Sequence, residues 1–154
     1  MFRLSKLTDY AIVLLSYLMR SNQPRTAREL SDLAGLPHPT VSKVLKMLAR
    51  ADLLVSVRGQ RGGYELALAP GEISVTRMIS AIEGPLAMTE CSEHHPTPCE
   101  LEPSCPVSSN WKKISDKVAS ALDEMTLADM VEPQLPIDNL TQLPTRQKLT
   151  LVRS

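Results

Sequence analysis

The stretch "TARELSDLAGLPHPTVSKVLKML", residues 26–48, decides the fold of this 154-residue chain. Thr26 stands three residues before Glu29, which is the spacing of a capping box at the start of a helix. Gly35 stands where a helix is expected to end, and Pro39 then suits the first position of the next helix. A short helix, a glycine-containing turn and a longer helix together predict a helix-turn-helix.

The second helix of this pair has two different faces. Its apolar residues recur at spacings of three and four, which predicts a buried stripe made of Val41, Val44, Leu45 and Leu48. The outward positions are polar and basic: Thr40, Ser42, Lys43, Lys46, Met47 and Arg50. We expect Thr40, Ser42 and Lys43 to lie near base edges and Lys46 to contact phosphates.

The segments on either side complete a winged helix. Leucines and alanine between Leu4 and Leu18 recur at helical spacing and predict a first helix. After the helix-turn-helix, "LLVSV" and "YELALA" predict two strands joined by the tip "RGQRGG". Glycines let this tip approach a phosphate backbone closely, and Arg58 and Arg61 supply positive charge. The pair of strands is therefore predicted to be a DNA-binding wing.

The C-terminal half predicts a further helix, a loop and a dimerisation arm. "SVTRMISAIEG" indicates a helix that ends at Gly84. An apolar seam then follows over about two heptads, and a partner copy is the economical way to cover it. The seam consists of Trp111, Ile114, Val118, Leu122 and Met125. The fold class predicted is mainly α with a small β-hairpin, divided into a winged helix-turn-helix domain (1–84), a cysteine loop (85–106), a dimerisation helix (107–131) and a flexible tail (132–154).

Charge separates the two halves of a chain that is neutral overall. Residues 1–70 carry ten Lys/Arg and five Asp/Glu, whereas residues 71–154 carry seven and twelve. A basic front half favours a polyanionic partner such as DNA. The apolar run near the N-terminus is too short to cross a bilayer and no small-residue cleavage site follows it, so a cytoplasmic protein is expected.

All three cysteines lie in "ECSEHHPTPCELEPSCPVSSNW", residues 90–111. Seven residues separate Cys91 from Cys99 and five separate Cys99 from Cys105, wider than the tight pairs of structural zinc sites. An iron–sulfur cluster tolerates such spacing because a loop can wrap around it. Three thiolates leave one position open, for which His94 and His95 are the obvious local donors. The alternatives are a carboxylate of Glu90, Glu93, Glu100 or Glu102, or a carboxylate from elsewhere in the dimer.

Two other interpretations of the cysteines remain. A zinc site or a thiol switch on the same DNA-binding fold is compatible with three cysteines in a reducing compartment. A metal or thiol enzyme is disfavoured, because the sequence has no C-x-x-C pair, no phosphate-binding loop after a strand and no metalloprotease His-Glu spacing. We therefore expect a protein that is not an enzyme.

Several motifs resemble those of bacterial winged-helix iron–sulfur transcriptional regulators of the IscR/NsrR family. They are "RLSKLTDYA", the stretch 26–48, "VRGQRGGYEL", "AIEGPL", the three cysteines and a tryptophan, so the match runs from residue 1 to about 131. Within that family, "KLTDYA", "EGPLAMTEC", "NW" and "TLADM" are most similar to the regulators of SUF iron–sulfur assembly genes.

The resemblance implies a homodimer that binds a palindromic operator and carries an iron–sulfur cluster, with [2Fe-2S] favoured and [4Fe-4S] the alternative. IscR takes its fourth ligand from a histidine three residues beyond the last cysteine, where this chain has Ser108. NsrR uses an aspartate of the other subunit, which matches Asp9 here and favours Asp9 over His94 or His95. The span between Cys91 and Cys99 is two residues longer than in those relatives.

The function implied is repression of SUF-type assembly genes when clusters are plentiful. A nitric oxide or redox sensor within the same family is the alternative.

Overall fold

The computed structural model describes residues 3–60, 62–86 and 104–131. Its helices are α1 (Lys6–Met19), α2 (Ala27–Ala34), α3 (His38–Arg50), α4 (Val75–Glu83), α5 (Ser108–Asp123) and α6 (Leu127–Met130). Two strands, β1 (Leu54–Val57) and β2 (Gly63–Leu66), follow α3, and a 3-10 turn covers Pro70–Glu72. The fold is mainly helical with a two-stranded hairpin, which confirms the predicted class.

The boundaries of α2 follow from its caps. The Thr26 hydroxyl accepts from the backbone N–H of Glu29, and the Glu29 carboxylate accepts from the backbone N–H of Thr26. Gly35 closes the helix in the left-handed conformation (φ 64°), where a side chain would be strained. The capping box and the terminal glycine were both predicted from the sequence.

A single core joins the first four helices to the hairpin. The predicted stripe of α3 is fully buried at Val41, Val44, Leu45 and Leu48, and it packs against Ala11, Leu14, Leu15 and Leu18 of α1. Each buried Leu contributes about 1.5–3 kcal/mol relative to an exposed one. This burial fixes α3 with its polar face outward.

The hairpin is pinned to the turn before α2. Strands β1 and β2 are antiparallel, with Leu54 opposite Leu66 and Val57 opposite Gly63. On the other edge of β2, the Arg25 N–H donates to the Tyr64 carbonyl (3.0 Å) and the Tyr64 N–H donates to the Arg25 carbonyl (2.7 Å). The hairpin is therefore held against the segment between α1 and α2 rather than projecting alone.

The predicted dimerisation segment contains two helices. Helix α5 ends at Asp123, and α6 begins after Thr126. The Val75 N–H donates to the Met125 carbonyl, and the Leu127 N–H donates to the Ile73 carbonyl, both at 2.8 Å. These bonds anchor the C-terminal end of α5 at the start of α4.

Several details differ from the expectations. Leu4 is exposed, because Ser5 caps α1 and Leu4 therefore precedes the helix. Pro39 is the second helical residue of α3 rather than the first. Strand β2 ends at Leu66, three residues earlier than predicted.

Three predicted features lie outside the described residues: the tail 132–154, Arg61 and the cysteine loop between residues 87 and 103. In the described part of the chain, no helix has the length and apolar character that a membrane span needs.

Candidate nucleic-acid interface and cofactor ligands

The outer face of α3 is a continuous basic surface. Pro39, Lys43, Lys46 and Arg50 are exposed and stand four, three and four residues apart, which places them on one side of the helix. The first turn of α3 contains no acid and its last turn contains Arg50. Within the described residues, no ion pair engages Lys43, Lys46 or Arg50. Their charges are thus available to a phosphate backbone.

The other predicted α3 residues lie at the edges of this surface. Thr40 and Ser42 are half-buried, on opposite flanks of the row formed by Lys43 and Lys46. Short hydroxyl side chains at such positions can reach base edges when the helix enters a major groove. His38, the first residue of α3, is exposed beside Ser42.

The wing carries Arg58 at the start of a tight tip. Arg58 is exposed directly after β1, and the Gly62 N–H donates to the Gly59 carbonyl at 3.0 Å. A Cβ on Gly62 would meet the Val57 carbonyl oxygen at 2.6 Å, so the tip has room only for glycine there. This geometry sets the Arg58 side chain at the end of the hairpin that follows α3.

Two of the four proposed cofactor ligands lie in the described residues. Asp9 is exposed in the first turn of α1, and no described residue bonds its carboxylate. Cys105 is half-buried and unpaired, three residues before the start of α5. The Ser108 hydroxyl donates to the Cys105 carbonyl at 3.2 Å, which directs Ser108 toward the backbone. Cys91, Cys99, His94 and His95 lie outside the described residues.

The donor set fits an iron–sulfur cluster in its chemistry. The Cys105 thiol lies just before the positive end of α5, which favours negative charge, and the unengaged Asp9 carboxylate is of the type that would serve as an oxygen ligand. Within the described residues, no group of three or more His, Cys, Asp or Glu is gathered to hold a metal ion.

Glu83 links α1 to α4 next to Asp9. One of its carboxylate oxygens, Oε1, accepts from the Ser5 N–H (2.7 Å) and from the Thr8 hydroxyl. The hydrogen bond from Thr8, and to a smaller extent that from Ser5, holds the pKa of Glu83 below its ordinary value. Thr8 is fully buried and directly precedes Asp9.

The sequence did not indicate the link that Glu83 makes between α1 and α4. It placed Arg50 on the outer face of α3 but assigned it no contact with DNA. The signal for Arg50 was present, because it repeats the spacing of Lys43 and Lys46 along one face of α3. No local signal marked Glu83, since its partners are more than 70 positions away.

A recognition helix with a basic face, followed by a hairpin whose tip bears an exposed arginine, defines a winged-helix DNA-binding protein. The sequence profile of Rrf2, described as an iron-dependent transcriptional regulator, matches residues 4–133, and the chain therefore belongs to the Rrf2 family. Members of this family are transcriptional regulators and not enzymes.

Solved structures agree with this assignment. T. potens IscR is 26% identical, with a TM-score of 0.61 and 94% of each chain covered. CymR, the global cysteine regulator of B. subtilis, is 24% identical, with a TM-score of 0.64 over 84% of this chain and 96% of that one. Staphylococcus aureus CymR is 25% identical, with a TM-score of 0.59 over 84% and 98%.

Proposed function

We propose that this chain is a cytoplasmic, homodimeric repressor that senses an iron–sulfur cluster and controls SUF-type cluster assembly genes. The observation that carries the proposal is the position of Cys105, half-buried at the junction between the winged domain and α5. A cofactor held at that junction is placed to change how two winged domains stand relative to each other. Two half-sites on B-DNA must be met one helical turn or a multiple apart, so such a change alters operator affinity.

Helix α3 and the wing divide the contacts with the operator. Thr40, Ser42 and Lys43 face base edges, while Lys46 and Arg50 neutralise phosphates. Arg58 and Arg61 extend the contact to the backbone or the minor groove at the wing. Support comes from the exposure of Lys43, Lys46, Arg50 and Arg58 in the described structure.

The dimer forms through α5. Val107, which precedes α5, and Trp111 and Ile114 in its N-terminal half are between 38% and 47% exposed and share one face. Within the described residues, this helix has no acid in its first turn and no base in its last, so neither end carries the charge that the helix dipole favours.

The cofactor is held by Cys91, Cys99 and Cys105 of one subunit with an oxygen from Asp9 of the other. The unengaged, exposed carboxylate of Asp9 supports this set, and His94 or His95 is the alternative fourth ligand. The cluster is [2Fe-2S], with [4Fe-4S] as the alternative, and supplies a redox-active, labile centre whose presence reports cluster supply.

A second candidate is a zinc-bound or thiol-switch regulator on the same fold. Cys105 is a free, half-buried thiol, and CymR of S. aureus, at 25% identity, is about as similar to this chain as IscR. Family membership therefore does not select between a cluster and a thiol, and a nitric oxide or redox sensor remains a further alternative.

Purification without oxygen tests the proposal. Visible absorbance with matching iron and acid-labile sulfide is the expected result, and Cys105→Ser should abolish the absorbance. A colourless protein that contains only zinc would establish the zinc alternative. A colourless, metal-free protein whose operator affinity responds to oxidation would establish the thiol switch. Release of the operator by nitric oxide from the coloured protein would favour the nitric oxide sensor.

The wing is tested by its salt dependence. Arg58→Ala should weaken operator binding and lower the slope of log K against log salt by about 0.9, the effect of one lost phosphate contact. Arg77→Ala is the matched control, since Arg77 is an exposed arginine of α4 and belongs neither to α3 nor to the wing. A slope that is unchanged by the Arg58 substitution would remove the wing from the interface.

A further inference from the structure

Among the α-helices of the described residues, α2 and α6 begin with a capping box that is closed within the helix itself. In α2 the Thr26 N–H donates to the Glu29 carboxylate at 2.7 Å, and in α6 the Thr126 N–H donates to the Asp129 carboxylate at 2.8 Å. In both, the carboxylate comes from the third helical residue, and the N-cap hydroxyl bonds the backbone of that residue in return.

Helix α1 completes its capping box with a residue from another helix. Its N-cap is Ser5, and its third residue is Thr8, which has no carboxylate. Glu83 of α4 takes that place, because its Oε1 accepts from the Ser5 N–H at 2.7 Å and from the Thr8 hydroxyl. The bond to Ser5 spans 78 positions of sequence. The start of α1 is thus capped in trans by the last residue of α4.

Glu83 joins the start of α1 to the end of α4, and each of these helix ends adjoins residues of the proposed cofactor site in the sequence. Thr8 directly precedes Asp9, the proposed ligand for the partner's cluster. Glu83 is followed by Gly84, which ends α4, and the chain then leads to the cysteine segment. If the carboxylate is lost, the Ser5 N–H loses its acceptor and the fully buried Thr8 hydroxyl keeps only the Ser5 hydroxyl, at 3.2 Å.

We infer that Glu83 is a positioning residue that couples the two cofactor sites of the dimer. The inference rests on the proposed function, in which Asp9 of each subunit completes the site of the other. Glu83 ties the first turn of α1, which carries Asp9 of the lending subunit, to the end of α4, from which the chain continues into the cysteine segment. A change in the lender's segment therefore reaches the partner's cluster through Glu83, Thr8 and Asp9.

The first arm of the test needs no cofactor. Hydrogen exchange of the cluster-free protein should show Thr8 and Asp9 amides exchanging about fivefold faster in Glu83→Ala, as expected for loss of a typical cap. Glu83→Gln keeps an acceptor oxygen without charge and should show a smaller effect. Glu29→Ala is the matched control, because it opens the capping box of α2 and should leave exchange in α1 unchanged.

The second arm separates coupling from a structural role. The test uses a heterodimer. In the lending subunit all three cysteines are replaced by serine, so that it contributes only Asp9 as a ligand. The holding subunit keeps its cysteines and binds the cluster. Glu83→Ala in the lending subunit should speed cluster loss about fivefold, the same factor as for the exchange of α1. The same change in the holding subunit should have a smaller effect. Glu83→Gln substitutes for Glu83→Ala if the alanine variant fails to fold.

The outcomes distinguish this inference from the proposed function. A colourless wild-type protein would overturn the proposed function and the coupling with it. The coupling alone would be overturned if the wild type is coloured but Glu83→Ala leaves the rate of cluster loss unchanged. It would also be overturned if the substitution speeds cluster loss equally in either subunit. Unchanged exchange of Thr8 and Asp9 in Glu83→Ala would show that Glu83 does not position α1.

Discussion

Asp52 holds a left-handed backbone conformation (φ 55°), the only non-glycine residue with positive φ in the described parts of the chain. It ends α3, where its N–H donates to the Ala49 carbonyl and the Leu53 N–H donates to the Leu48 carbonyl. This is the pattern of a Schellman motif, in which glycine is preferred at the position of Asp52. The residue carries strain that glycine would not.

Asp52→Gly should therefore raise the free energy of unfolding by about 0.5–1 kcal/mol, because relief of the left-handed strain outweighs the added chain entropy. Asp52→Ala should lower it, since alanine lacks the short polar side chain that tolerates this conformation. Urea denaturation of the three proteins measures both effects. A glycine variant less stable than the wild type would show that the Asp52 side chain contributes more than its backbone strain costs.

Gly63 is the residue at which β2 meets the turn before α2. A Cβ there would lie 2.5 Å from the carbonyl carbon and oxygen of Arg25, and φ is +155°. Gly63→Ala should lower the free energy of unfolding by about 1–3 kcal/mol, because the backbone must move to admit the methyl group.

Gly71→Ala is the control for this substitution. Nothing lies within 4 Å of a Cβ at Gly71, so stability should stay the same or rise by up to about 1 kcal/mol. Urea midpoints compare the two variants. Equal midpoints for both would mean that the hairpin is not held against Arg25.

The sequence predicted the elements whose boundaries are set by neighbours in the chain. The capping box of Thr26, the terminal Gly35 and the buried stripe of α3 all depend on residues within a few positions of each other. The break between α5 and α6 was missed because it arises from pairing of Ser74 with Thr126, far apart in sequence. The trans cap by Glu83 was missed for the same reason.

The candidate site divides in a similar way. The outward face of α3 follows from helical spacing, so the exposure of Lys43 and Lys46 was predictable, whereas their contacts with DNA stay a prediction. Asp9 was singled out only by resemblance, since its place in the first turn of α1 also suits a helix dipole. When the ligands come from two subunits, they need not occur at a characteristic spacing along one sequence, so no motif marks them.

The capping boxes make helix stability depend on pH. The backbone N–H and hydroxyl of Thr26 donate to Glu29 and, with Arg25, hold its pKa below the ordinary 4.5. The ionised form is thus the stabilising one. Its contribution is complete above the unfolded-state pKa and disappears as the pH falls through the lower folded-state pKa.

Glu29→Gln should therefore differ from the wild type in unfolding free energy more at pH 7 than at pH 3. The difference at pH 7 should be about 0.3–0.5 kcal/mol, since Glu29 is largely exposed and its charge is screened. Urea denaturation at the two pH values measures it. A difference that grows on acidification would contradict the cause assigned to the lowered pKa.

At the scale of the whole molecule, the proposed DNA-binding and dimerisation surfaces lie on different elements. Exposed basic side chains line the outer face of α3 and the start of the wing tip, while α5 exposes Trp111 and Ile114 beside its own lysines. Helix α5 is fixed at its C-terminal end by the bonds of Val75 and Leu127 and by the Thr76 hydroxyl, which donates to the Ala119 carbonyl at 3.0 Å. Its N-terminal half therefore presents Trp111 and Ile114 at a defined angle to the winged domain.

A charge placed on this apolar face should separate the subunits. In a two-fold dimer Ile114 occurs twice, so Ile114→Glu loses two buried contacts and adds two buried charges. Two contacts of about 1.4 kcal/mol each correspond to a weakening of dimerisation of at least about 100-fold. Sedimentation at micromolar concentration should then show monomers. Operator affinity should also fall as the dimer dissociates, because a monomer contacts only one half-site.

Ser120→Glu is the matched control for Ile114→Glu, because Ser120 is exposed on the opposite side of α5. It adds the same charge to the same helix and should leave both the mass and the operator affinity unchanged. Circular dichroism should show full helicity in both variants, since Ile114 is 41% exposed and the core of the winged domain does not depend on it. If Ile114→Glu stays dimeric, the subunits meet through another surface. A dimer formed through α5 would then not be what brings Asp9 of the partner subunit to the cysteines.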